Sequence, residues 1–155
     1  MVRLAIVVSD FNKQITSKML ATALMNAKGL KAEVSFVVHV PGVFDMPLAV
    51  DMLLRKNNDD AIVTLGAVIK GDTKHDEIVA ENAARLIADL SLKYGKPVAL
   101  GISGPGMTPA QARDRAGAVP ARAVRAAVSM VMRLGKIEKT AARGTVVIDD
   151  AAHNN

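Results

Sequence analysis

Cysteine is absent from the 155 residues. The chain forms no disulfide, and neither thiolate catalysis nor a thiolate-held metal is open to it. The same absence fits a cytoplasmic location. Tryptophan is absent too, and three Phe and one Tyr are the only aromatics besides histidine. A net charge of +5 and a pI near 9.7 ordinarily suggest nucleic acid as a partner. With so few rings, a stacking platform for single strands is hard to build, and nucleic acid is set aside. Three scattered histidines, at positions 39, 75 and 153, share no metal-ligand spacing, so no metal is expected. No apolar run is long enough to span a membrane. The opening Met1-Val2-Arg3-Leu4-Ala5-Ile6-Val7-Val8 is too short for a secretory signal and reads as a strand.

Half of the residues are hydrophobic and the mean hydropathy is +0.23. A domain of this size leaves much of its surface uncovered, so part of that apolar content is expected between subunits. Apolar β-type runs alternate with helical ones. Strands are predicted at Leu4–Val8, Ala32–Val40, Ala61–Ile69 and within Pro97–Ser103. Asn12 is a candidate cap for a helix reaching Ala27 and ended by Gly29, and Asp45 for one reaching Arg55 with Pro47 in its first turn. Val79, Ala83, Leu86, Ile87 and Leu90 mark a third helix, with Glu81–Arg85 and Asp89–Lys93 as four-apart pairs. It stops at Gly95 and Pro97. Gly104-Pro105-Gly106 reads as a loop. Thr108 caps a short helix to about Ala116, and Pro120 opens a last helix with a buried stripe of Val124, Ala127, Val128, Val131 and Leu134. Near-continuous apolar strands between helices predict a parallel sheet covered on both faces. The expectation is a flavodoxin-like three-layer α/β/α sandwich with a four-stranded parallel sheet. Residues 1–136 form one domain, and 137–155 a polar, flexible tail in which Val146-Val147-Ile148 is the segment suited to packing on a neighbouring subunit.

Ligands of such sheets sit beyond the carboxyl ends of the strands. The stretch Thr64 to Glu77 is the most informative: a strand breaks at glycine and polar residues, then runs into a helix with His75 at the join. Unpaired N–H groups at a helix start attract anions. Gly71-Asp72-Thr73 offers backbone donors and a hydroxyl, and an imidazole is the side chain suited to moving protons near neutral pH. The alternative for this stretch is an ordinary capped helix start. Phe11 and Phe44 both fall at strand ends, where core packing and stacking on a flat heterocycle compete. Asp45 suits either helix capping or a polyol chain. Arg113, Arg115, Arg122, Arg125 and Arg133 form the densest basic group; most belong to solvated helix faces, leaving one or two for a phosphate. His39 and His153 read as incidental.

Taken together, Ser9-Asp10-Phe11-Asn12, the run from Val40 to Ala49, the run from Leu65 to His75, and Asp114-Arg115-Ala116-Gly117 resemble the 6,7-dimethyl-8-ribityllumazine synthase family. The resemblance spans about Leu4 to Leu134, and Gly101 to Thr108 resembles the archaeal branch. It implies condensation of 5-amino-6-ribitylaminouracil with 3,4-dihydroxy-2-butanone 4-phosphate, with no metal or redox cofactor. It puts ring stacking on Phe11 and pyrimidine contacts on the backbone of Val68 and Ile69. Val43, Phe44 and Asp45 would line the ribityl chain, with Asp45 where a glutamate is usual. Asp72 and Thr73 would lie at the phosphate through backbone and hydroxyl groups, with Arg115 as its cation and His75 as the catalytic histidine. The resemblance also implies a homo-oligomer, a pentamer or a shell of pentamers, with sites between subunits. Leu100 stands where many members place a phenylalanine contributed by a neighbour. Three readings compete: the related archaeal-type riboflavin synthase, a flavin- or nucleotide-binding module without turnover, and a purely structural shell. Phe11 together with Thr73-Lys74-His75 separates the chain from the first of these.

Overall fold

The computed structural model describes residues 1–149. Its elements run β1 (Arg3–Ser9), α1 (Lys13–Gly29), β2 (Glu33–Val40), a 3-10 turn (Val43–Asp45), α2 (Met46–Lys56), β3 (Ala61–Ile69), α3 (His75–Tyr94), β4 (Val98–Met107), α4 (Pro109–Arg115) and α5 (Ala118–Lys139). The four strands are all parallel, in the order β2-β1-β3-β4. The two central strands explain the continuous apolar runs, because alternate residues enter opposite cores. Leu4, Ile6, Val8, Val63 and Leu65 pack with Ala23 of α1 and Val124 of α5. Ala5, Val7 and Ile62 pack with Val50 of α2 and Ala83 of α3 on the other side. The flavodoxin-like sandwich expected from the sequence is the observed fold.

Strand order reverses between β1 and β3. The chain leaves β1 toward β2 on one side, then returns across the sheet to β3 on the other. Crossovers of one hand must then lie on opposite faces, and a crevice opens where they part, beyond the carboxyl ends of β1 and β3.

Several local expectations need correction. Gly104, Pro105 and Gly106 lie within β4, not in a loop: Ser103 pairs with Ala67 and Met107 with Ile69, so the three residues oppose Val68 alone. This is a bulge, and its glycines have φ of +101° and +78°. A Cβ on Gly104 would come within 2.2 Å of the Val68 carbonyl oxygen, so only glycine fits. Asn12 does not cap α1 with its side chain; it is left-handed (φ 59°), and its Nδ2 donates to the Ala67 carbonyl at 2.8 Å. Asp45 accepts from the Gly42 N–H at 2.9 Å within the 3-10 turn and makes no side-chain cap on α2. Arg85 pairs with Asp89 (3.3 Å) rather than Glu81, and Lys93 reaches Asp51 on α2 at 3.8 Å. On α5 the buried stripe fades after Val128: Val131 is half-buried and Leu134 exposed. Gly95 and the Thr108 cap are as expected, the Thr108 hydroxyl accepting from the Gln111 N–H. His39 has a partner, its Nδ1 standing 3.0 Å from Asp10 Oδ1. His153 lies outside the described residues.

Candidate active site

A cavity of about 410 Å³ opens at the crevice. Three segments build it, each delivered by a strand end. The end of β1 supplies Ser9, Phe11 and Asn12. Phe11 is held by its own N–H, which donates to the Pro41 carbonyl at 3.0 Å, while the Asn12 amide ties this segment to β3. The turn after β2 supplies Val43 and Phe44. The end of β3 and the start of α3 supply Ala67, Val68, Ile69, Thr73 and His75. Gly66 lets the turn close on the sheet, since a Cβ there would stand 2.5 Å from Val43 Cγ2.

Two features of this pocket are unusual for a core. Phe11 is 72% exposed and Phe44 60% exposed, which disposes of core packing for either ring within this chain. Covering the Phe11 ring is worth roughly 2 kcal/mol. The start of α3 also has no side chain on its N-cap residue Lys74 turned back to cap it; Thr73 Oγ1 lies 3.4 Å from the His75 N–H, a long hydrogen bond. First-turn N–H groups therefore face outward beside an imidazole.

Phe11, Val43, Phe44, Val68, Ile69, Thr73 and His75 thus share one pocket. Asp45 and Asp72 do not line it: the Asp45 carboxylate accepts from the Gly42 N–H, and Asp72 is exposed on the loop before α3. Leu100 and Arg115 are not among its lining residues. Leu100, 52% exposed, borders a smaller cleft with Glu81, Ile102 and Pro105, and Arg115 is exposed in the last turn of α4. Among the described residues, no Lys or Arg lines the main pocket. Ser9, Asn12 and Asp76 also line the pocket, beyond the site residues expected from the sequence. Asp76 is 7% exposed and its Oδ2 accepts from the Gly106 N–H at 3.0 Å. Its place directly after His75 was the only hint, and the partner lies thirty residues away.

Chemically, the pocket joins an exposed ring for a flat heterocycle, a strand-end backbone for its polar edge, outward helix N–H groups for an anion, and an imidazole to move protons. The family model described as 6,7-dimethyl-8-ribityllumazine synthase matches residues 1–135. A 6,7-dimethyl-8-ribityllumazine synthase of Saccharolobus islandicus (strain L.S.2.15 / Lassen #1) is 55% identical over 149 residues, covering 96% of this chain and 97% of its own. One from Methanococcus maripaludis (strain C5 / ATCC BAA-1333) is 57% identical over 138 residues, covering 89% of this chain and all of its own.

Proposed function

The chain belongs to the 6,7-dimethyl-8-ribityllumazine synthase family, and from that membership we propose how its pocket works. The enzyme condenses 5-amino-6-ribitylaminouracil with 3,4-dihydroxy-2-butanone 4-phosphate, giving the lumazine, phosphate and water in riboflavin biosynthesis. In our reading the pyrimidine stacks on Phe11 and bonds the backbone of Val68 and Ile69. Val43, Phe44 and Asp45 flank the ribityl chain. The phosphate rests on the backbone N–H groups of Asp72 and Thr73, the Thr73 hydroxyl and the first turn of α3. His75 shuttles protons through imine formation, phosphate elimination and ring closure. These steps are redox-neutral, so they call for no electron carrier, and a leaving phosphate is served by fixed donors and a cation. Arg115 offers a planar donor fork for that anion. Holding the two substrates together supplies much of the acceleration.

The observation that carries this reading is the gathering of the Phe11 ring, the β3 backbone, the uncapped α3 start and His75 around one cavity. We propose further that the protein is a cytoplasmic homopentamer, or a shell of pentamers, whose sites lie between adjacent copies. Arg115 and Leu100 would then reach the pocket of a neighbour. Their position away from their own chain's pocket supports this, as does the pocket's lack of a Lys or Arg among the described residues. We take residues 1–136 as the catalytic domain and 137–155 as a tail, a division supported by the family model, which matches residues 1–135. Mixing the purified protein with both substrates, without added metal, is expected to produce the lumazine, read by its absorbance and fluorescence. Absence of product at any substrate concentration would overturn the assignment.

A further inference from the structure

We propose that Asp76 is a positioning residue that locks the catalytic histidine's helix start onto the end of β4. The inference rests on the proton-transfer role given to His75. The bulge in β4 sets three residues against one on β3, so the ladder cannot serve every N–H it contains. The Gly106 N–H is one that leaves the ladder, and it donates to Asp76 Oδ2 at 3.0 Å. The strands are pinned within the bulge and just after it: Gly104 is seated against the Val68 carbonyl, and the Lys70 N–H donates to the Met107 carbonyl at 2.8 Å. Asp76 therefore grips a part of the sheet that has little freedom to move.

Its other attachment is covalent. Asp76 is the second residue of α3 and His75 the first, so fixing one side chain fixes the backbone of the other. Both line the pocket. Asp76 is only 7% exposed, and a poorly hydrated carboxylate is a costly acceptor for a neutral N–H unless something offsets its charge. The positive end of α3 does so, and in return a charged acceptor makes the stronger bond. The α3 N-cap residue has no side-chain cap and Thr73 Oγ1 holds the His75 N–H only at 3.4 Å, so the Asp76–Gly106 bond supplies this helix start with a tie to the sheet. The β3–α3 connection, Lys70 to Lys74, is left exposed and open to substrate while the helix beyond it stays in place.

The test compares Asp76→Ala, Asp76→Asn and His75→Ala, singly and combined, by kcat and by KM for each substrate. Asp76→Ala is expected to lower kcat by on the order of tenfold to a hundredfold, as for a catalytic group left misplaced, with little change in KM for the pyrimidine. Asp76→Asn keeps an oxygen able to accept from Gly106 and should restore most of that loss. In the His75→Ala background, Asp76→Ala should cost almost nothing more, because the group it positions is gone. An equal loss in both backgrounds, or an Asn variant as slow as the Ala variant, overturns the positioning role while leaving His75 catalytic. A His75→Ala enzyme of full kcat overturns the histidine's role and this proposal with it. Should Asp76→Ala fail to fold, Asp76→Glu carries the same comparison, since it keeps the charge but moves the acceptor by one methylene.

Discussion

At the residue scale, His75 and Arg115 are assigned different work, and kinetics separates them. Removing a proton carrier slows turnover more than it weakens binding, so His75→Ala should lower kcat by on the order of a hundredfold with KM values nearly unchanged. Some rate persists because substrate positioning is untouched. Arg115→Ala removes a charge-assisted bond worth roughly 2 kcal/mol, so KM for the phosphorylated butanone should rise about thirtyfold. The pyrimidine's KM should stay put, and a change confined to the pyrimidine would sink the phosphate role. Phe11, Phe44 and His75 are legible in the sequence as strand-end residues because each stands where an apolar run breaks, whereas Arg115, on α4, is marked only by the family resemblance. The bonds that Asn12 and Asp76 make are not legible in this way. Each residue does its work through one bond to a backbone group 55 or 30 residues away, and pattern within a window cannot register that.

The same distinction explains which elements were read correctly. Strand and helix cores were legible because burial imposes a period on them, and the double-sided burial of β1 and β3 shows as unbroken apolar runs. Gly104-Pro105-Gly106 has the sequence pattern of a loop yet forms a bulge, because glycine and proline mark turns and bulges alike and only pairing with β3 distinguishes the two. Helix surface pairs depart from the expected four-apart partners for a related reason. The sequence offers Arg85 two carboxylate neighbours, while Lys93 is drawn off its own helix to Asp51. Asp51 ties α2 to α3: Tyr94 Oη donates to it at 2.7 Å, and Arg55 Nη2 stands 2.7 Å from its other oxygen. The Tyr94 bond first, then Arg55 and Lys93, hold this carboxyl below the ordinary carboxylate range, against the opposing effect of burial. A carboxyl with a lowered folded-state pKa lends stability that is complete above its unfolded value, near 4, and is lost as pH falls through the folded value. Acid titration of the wild type should therefore show stability declining below about pH 4. Tyr94→Phe should cost about 1–2 kcal/mol at neutral pH and flatten that decline, as measured by denaturant unfolding across the range. A decline of unchanged slope in the variant would show that other carboxylates govern acid unfolding.

For the whole molecule, apolar side chains remain uncovered well beyond the pocket rim. Leu48 on α2, Ile78 and Leu92 on α3 and Leu100 on β4 are each more than half exposed. Surfaces of this kind mark contact sites. A head-to-tail contact repeated by a rotation that closes gives a ring, in which every subunit lends one face and receives the other. In such a ring the pocket of one copy and the Arg115 of the next belong to the same site, and that arrangement has a consequence a self-contained site lacks. Chains carrying His75→Ala and chains carrying Arg115→Ala, unfolded and reassembled together, would form interfaces in which the histidine comes from one variant and the arginine from the other. With random mixing, about a quarter of the interfaces would hold both native groups, and activity should rise well above that of either variant assembled alone. If Arg115 instead serves the pocket of its own chain, every site in the mixture carries one lesion, and activity stays at the mean of the two parents. Light scattering on the same samples gives the size of the particle, so that a failure to reassemble is not mistaken for a failure to complement.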